Sequence, residues 1–430
     1  MSILFALEVP VDHSSPRSVQ EVNRSLHPGS HPGEGKEGDA RRQGRAPGWS
    51  VAARLVLFAL ALALPISAPA STPLPMLEMT TDPPLVMSNG CPRFATLLKG
   101  QIRIEQNRFE EAIAIFTCVI NANPLAIDGY RGRAEAKLML GKFSDAFQDY
   151  TRLNAVVVPV HPDAFEIILD RYESRLARFP NSRSARTGAA FAKWVTFDYE
   201  GALPHLDSLL ASDSTNVFAN VFRGSVRLFI GEDVSGGEED LENAIQLAPQ
   251  SADVQFIVAD AYTYAYPDQQ IAFAAATQAL QWGLDTPRVN AILASWNFAM
   301  GNVAAGSQNI RRHIDLVTTE TVAEIPLGNG GEALLDFVAW RTYDIPIATT
   351  AGQTVSIRTS SPDDTIFDSI MVLVDSNGTP VYGNDDFTDF YAGFDWEAPD
   401  TATYHLLVAT FEGASTGQLL VTRNVSSTAP

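Results

Sequence analysis

The chain has 430 residues, 46% of them hydrophobic, enough for two or three domains and too apolar for a chain disordered throughout. Its formal charge is −20, from 30 basic and 50 acidic residues, which argues against nucleic acid or an anionic membrane as a partner. Two cysteines exclude a disulfide scaffold and a four-thiolate zinc site, and seven scattered histidines leave little for histidine metal chemistry.

Residues 1–50 are rich in Pro, Gly, Ser, Arg and His and read as a disordered leader. Initiation at Val51 would remove this leader and start the chain on a signal peptide. Residues 55–66, LVLFALALALPI, follow Arg45 and Arg54 and precede Ala68-Pro69-Ala70. A basic region, an apolar run too short to span a bilayer and a small-residue site are the order of a secretory signal. The expectation is a signal peptide over 51–70, cleaved after Ala70, or a membrane anchor if cleavage fails. The protein is then secreted, periplasmic or held at the cell surface. A linker is expected over 71–90.

Two segments then line up at an offset of 34 residues, GQIRIEQNRFEEAIAIFTCVINANP from Gly100 and AEAKLMLGKFSDAFQDYTRLNA from Ala134. The offset pairs Gly100 with Ala134, Asn107 with Gly141, Phe109 with Phe143, Ala112 with Ala146 and Phe116 with Tyr150. Each segment reads as two amphipathic helices. Weaker copies are marked by Ala202, by Gly224, Leu241 and Pro249, by Ala259 and Ala272, and by Ala294, Gly301 and Gly306. The register breaks between Ala146 and Ala202. There, residues 163–179 read as one helix closed by Pro180, and 155–182 are taken as a degenerate or partial repeat.

This pattern resembles the tetratricopeptide repeat, a helical hairpin of 34 residues. The resemblance covers about residues 92–316, with an array expected over 91–318. It implies an α-solenoid whose first helices line a concave face that binds a protein or peptide. The groove-facing set would include Phe94, Leu97, Gln101, Arg131, Phe218 and Val221. The positions that clamp a terminal carboxylate in some members hold Leu97, Gln101, Arg131 and Glu135 here, which is not that clamp. Residues 93–137 are locally basic, and an acidic partner segment is one reading of that stretch. Cys91 lies just before the first helix and Cys118 near the end of the second. An antiparallel pair brings those ends together, so a disulfide between them is expected in an oxidising compartment.

After about residue 320 helical periodicity gives way to alternating runs between turn signals. The strands read as WRTYDIPI, QTVSIRTS, SIMVLVDS, GTPVYGND, TYHLLVAT and GQLLVTR, with Ser376-Asn377-Gly378 as a hairpin turn. Six to eight strands in about 100 residues predict a small antiparallel β-sandwich over 325–424, after a short linker at 319–324 and before a tail at 425–430. The fold class is therefore multidomain α + β. The run of Ala351-Gly352-Gln353-Thr354-Val355, Phe367-Asp368-Ser369, Asp375 and Gly378, Asn384-Asp385-Asp386 and Thr403-Tyr404-His405-Leu406 resembles the bacterial pre-peptidase C-terminal domain. That resemblance implies a non-catalytic module of exported proteins that aids secretion or binds outside the cell. Thr401-Ala402 stand where a glycine is more usual.

No cofactor is expected. Calcium at Asp368, Asp385 and Asp386 is the one metal reading, and it falls short of EF-hand spacing. GASTG at 413–417 matches a nucleophile-elbow pattern but lies between strands, where a hairpin loop is the better reading. The function expected is a non-catalytic scaffold with a protein or peptide in the repeat groove. The alternatives are a surface adhesion or glycan-binding protein with the repeats as spacer, and an enzyme whose site the sequence does not display. Oligomeric state is not readable.

Overall fold

In a computed structural model of the chain, the described residues are 96–322, 325–327, 331–362, 368–384, 391–411, 413 and 416–427. The leader, the signal peptide and the linker expected over 71–90 lie outside them, as do Cys91, Phe94, Asp385 and Asp386.

Thirteen α-helices come first among the described residues. They are α1 (Leu97–Glu105), α2 (Phe109–Ala122), α3 (Ile127–Met139), α4 (Phe143–Val156), α5 (Ala164–Arg178), α6 (Arg183–Val195) and α7 (Tyr199–Ser212). Then follow α8 (Val217–Ile230), α9 (Val234–Leu247), α10 (Ala252–Tyr264), α11 (Gln269–Gln281), α12 (Pro287–Ala299) and α13 (Val303–Val317). They form a tetratricopeptide-like array of hairpins. Five of the six hairpin turns use a residue with positive φ, and Gly141, Gly231 and Gly301 supply it at 75°, 76° and 75°. Asn107 and Phe197 take the same conformation at 57° and 62°. The first helices α1, α3, α6, α8, α10 and α12 stand side by side. Alanines sit where they touch the second helices, and Ala112, Ala146, Ala202, Ala244 and Ala272 are fully buried.

The helix expected over 163–179 is α5. It changes the stacking order. In the first hairpin, Phe116 of α2 wedges between Gly100 of α1 and Gly132 of α3, and a Cβ on Gly100 would fall 2.5 Å from its ring. The 34-residue offset assigns the equivalent wedge between α3 and α6 to Tyr150. The residue found there is Tyr172 of α5. Its hydroxyl donates to the Arg131 carbonyl at 3.3 Å, and its ring leaves no room for a Cβ on Gly188 of α6. So α5 takes the outer place that α4 would hold in a regular repeat, and α4 turns inward.

Nine strands follow among the described residues: β1 (Glu320–Val322), β2 (Glu332–Phe337), β3 (Arg341–Ala348), β4 (Gln353–Ser360), β5 (Ser369–Val374), β6 (Pro380–Asn384), β7 (Gly393–Glu397), β8 (Thr403–Thr410) and β9 (Gly417–Ser427). They form two sheets, β1-β3-β8-β5-β6 and β2-β9-β4-β7, antiparallel except for β1 beside β3. The stretch expected as a linker at 319–324 holds β1, and β9 runs into the expected tail. Leu335, Ile345, Ile357, Leu373, Leu406 and Val421 meet between the sheets. The other face of the first sheet is also covered. Ile370, Val372 and Val374 of β5 and Leu407 and Ala409 of β8 pack on Ile310 and Ile314 of α13. The last hairpin of the array is therefore closed by the sheet.

Candidate interaction site on the inner face of the array

The inner face is built by helices whose starts are written locally. Ser182 Oγ, Asn216 Oδ1, Ser251 Oγ and Thr286 Oγ1 accept from backbone N–H groups three residues on, capping α6, α8, α10 and α12. The capped helices present Phe191 and Trp194 on α6, Phe218 and Phe222 on α8, Phe256 on α10 and Arg288 on α12. Indole N–H groups link neighbours along the row, Trp194 to Ser225 at 3.2 Å and Trp296 to Thr263 at 3.1 Å.

Across this face lies α4. Phe143, Phe147 and Tyr150, at i, i+4 and i+7, form one side of it. The Phe143 ring meets Phe218 at 5.7 Å and Phe222 at 5.5 Å, edge to face. Phe147 meets Trp194 at 6.1 Å and Phe256 at 6.3 Å, with the Arg288 guanidinium 5.8 Å from its ring centre. Tyr150 meets Phe191 at 5.4 Å. Such edge-to-face pairs contribute beyond the area they bury, each by about 0.5–1.5 kcal/mol. The opposite side of α4 is tied to α3, where Asp149 binds Arg133 at 2.7 Å and Lys137 at 2.9 Å. Only Gln148 and Arg152 of α4 are exposed.

The start of α4 has no cap of its own, since Lys142 precedes it and offers no acceptor. The cap comes from α10: Asp253 Oδ1 accepts from the Ser144 N–H at 2.6 Å. Burial pushes the Asp253 carboxyl up to about 6, against the pull of the Ser144 and Phe143 amides and of Lys142, while Asp145 adds to the rise.

The residues expected to face the groove separate into three groups. Phe218 faces it but is 5% exposed beneath Phe143 of α4, and Val221 is fully buried in the core of the array. Gln101 and Arg131 come together at 3.4 Å, within an internal ion network. There Arg131 binds Asp128 and Glu135, and Arg175 of α5 binds the fully buried Glu135 at 2.6 Å. Leu97 is on the open side of α1 beside the exposed Leu98 and Ile102. The basic stretch is largely engaged within the chain as well. Arg103 and Arg108 pair with Glu111, and Arg133 and Lys137 with Asp149. Sequence reasoning missed the occupant of the face, although Phe147, a second ring one turn after Phe143, was a visible sign.

Sequence comparison yields no matching family model, and no curated protein matches the chain. Solved structures of similar fold include a tetratricopeptide repeat protein from Parabacteroides merdae, 16% identical, covering 53% of this chain and 80% of that one, with a TM-score of 0.35. Another is PilW, a type IV pilus biogenesis factor, 14% identical over 50% and 89% of the two chains, TM-score 0.30. A third is PliG from Aeromonas hydrophila, a periplasmic inhibitor of g-type lysozyme, 16% identical over 25% and 100%, TM-score 0.20. At these values the likenesses carry no functional argument.

Elsewhere the described residues offer little chemistry. A cleft of about 520 Å³ lies between α7, α8 and α9, and its Arg223 and Arg227 are bound to Asp207 and Asp240. His205 pairs with Glu173, His405 with Asp344, and both ring nitrogens of His313 face backbone carbonyls. No three His, Cys, Asp or Glu side chains converge among the described residues, and of the calcium candidates only Asp368 is described. No described helix is long and apolar enough to cross a membrane. Cys118 is buried and disulfide-bonded.

Proposed function

We propose that the chain is an exported protein-interaction scaffold. Its array takes an amphipathic helix on the inner face, and its two-sheet module serves surface binding or export, as the resemblance to the pre-peptidase C-terminal domain implies. The seating of α4 carries this reading. Three capped first helices present aromatic rings and a fourth presents Arg288, and that surface receives a helix with rings on one side. A face of this kind recognises shape and aromatic spacing and has no need of reactive groups. The leader at 51–70 supports export, and so does a bonded Cys118, because disulfides persist in oxidising compartments. Cys91 is its proposed partner. Thiol titration of unreduced, denatured protein is then expected to find no free thiol, and reduction to cost about 3 kcal/mol for a loop of this length.

The test is affinity capture from envelope and culture-supernatant fractions, with the full chain and with a Phe143→Ala/Phe147→Ala chain as baits. A specific protein held by either bait is the expected result. Retention of polysaccharide alone would replace this reading with the surface-binding one. N-terminal sequencing of the exported protein is expected to begin at Ser71.

A further inference from the structure

We propose that α4 is an exchangeable occupant of the inner face, and that a partner helix with aromatic residues at i, i+4 and i+7 enters by displacing residues 143–156. This rests on the scaffold reading above and names the partner's chemistry. Three observations carry it.

The first is redundancy. A regular hairpin needs its second helix to fill the space between two first helices. Between α3 and α6 that space is filled by Tyr172 and Arg175 of α5, so the stack stays closed whether or not α4 is present. The second is the form of the site. Its walls belong to α6, α8, α10 and α12, each capped by its own residue and stacked on its neighbours. The third is the way α4 is held. It is joined by ring contacts, by the Asp253 cap and by the Asp149 pairs, all of which another helix can reproduce. Residues 140–163 form one continuous excursion between α3 and α5 and can leave together.

Release without replacement is disfavoured, because it would uncover Phe191, Phe218, Phe222 and Phe256, all of them buried. The partner must therefore bring the same pattern: three aromatic positions on one side and a carboxylate at i+6, where Asp149 meets Arg133 and Lys137. The resident helix competes at the high effective concentration of a tethered ligand, which lowers the apparent affinity for any free helix.

The probe is a labelled peptide of residues 141–158, titrated by fluorescence anisotropy into the full chain and into the Phe143→Ala/Phe147→Ala chain. The substitutions weaken the resident helix and leave the walls intact. The peptide is expected to bind the altered chain at least tenfold more tightly than the natural one, and a peptide carrying Asp149→Lys is expected to lose at least tenfold. Equal or absent binding to an altered chain that keeps its helical circular dichroism overturns the proposal. A dimer that forms with concentration and leaves no peptide binding makes a second copy the occupant and also overturns it.

If the altered chain does not fold, hydrogen exchange of the natural chain decides. Amides of 147–156 should exchange at least tenfold faster than those of α5 and α6; equal rates mean that α4 opens only with the whole array, and the proposal fails. Should capture succeed while the peptide fails, the scaffold reading stands and this inference alone falls.

Discussion

Gly132 and Gly100 approach the Phe116 ring from opposite sides, and the ring is wholly buried. On an open helix surface, replacing glycine by alanine stabilises by about 1 kcal/mol. Here a methyl group would enter space the ring already fills, and overpacking of that kind costs about 1–3 kcal/mol. Gly132→Ala is therefore expected to lower the urea midpoint, and Gly132→Ala with Phe116→Leu to recover part of the loss. Asp253 gives a prediction of the opposite sign to the usual carboxylate. Its folded value, pushed up to about 6, lies above the ordinary 3.8, so the folded state holds the proton more tightly than the unfolded chain. The stability from this group is complete below about pH 4 and is lost as pH rises through 6. The full difference is about 2–3 kcal/mol. Asp253→Asn keeps an oxygen for the Ser144 N–H and removes the charge. It is expected to be the more stable protein at pH 7.5 and to match the parent near pH 4, in urea melts across that range.

At the level of elements, the inward turn of α4 depends on α5 being anchored in its place. Glu135 of α3 is fully buried and held by Arg131 at 3.2 Å and by Arg175 of α5 at 2.6 Å. Removing Glu135 takes the short-range partner from Arg175 and leaves Arg131 with Asp128 alone. Glu135→Ala should then cost about 3–5 kcal/mol, whereas Glu320→Ala, which breaks an exposed pair with Arg341, should cost under about 1 kcal/mol. Thermal melts of the two variants make the comparison. The helices themselves were legible in the sequence, because alanines and rings at 34-residue spacing mark hairpins, and α5 was visible as one helix where that spacing breaks. Its consequence was not legible. Tyr150 and Tyr172 both suit the wedge between α3 and α6, and periodicity cannot choose between them; the choice is made by Gly188 and Glu135, which receive the ring and the arginine of α5. For the same reason the sequence showed nothing of the helix that covers Phe218. Among the strands, β2 escaped notice because Leu334 points outward and hides the alternation of Ala333, Leu335 and Phe337.

At the scale of the whole molecule, a solenoid has two ends that would expose core, and each must be closed. The C-terminal end is closed by a sheet. The unbroken apolar run of β5 follows from this, since Met371 and Leu373 face the sandwich core while Ile370, Val372 and Val374 face α13. The two sides approach closely enough that Ile310 would lie 3.2 Å from a Cβ on Gly383. His313 joins the parts by polar contacts as well: it is fully buried, with Nδ1 2.9 Å from the Pro287 carbonyl and Nε2 2.6 Å from the Phe411 carbonyl. An apolar contact shared by two modules makes their unfolding cooperative, because neither can melt without exposing the other's buried face. The full chain is expected to show a single calorimetric transition, seen at the same temperature by loss of helical and of sheet circular dichroism. Ile310→Asp puts an unpaired charge into that contact. It should separate the transition into two, with the array melting first and the sandwich, whose core between its sheets is untouched, melting near its original temperature. A single transition moved down as a whole would mean instead that the sandwich depends on α13 for its own stability.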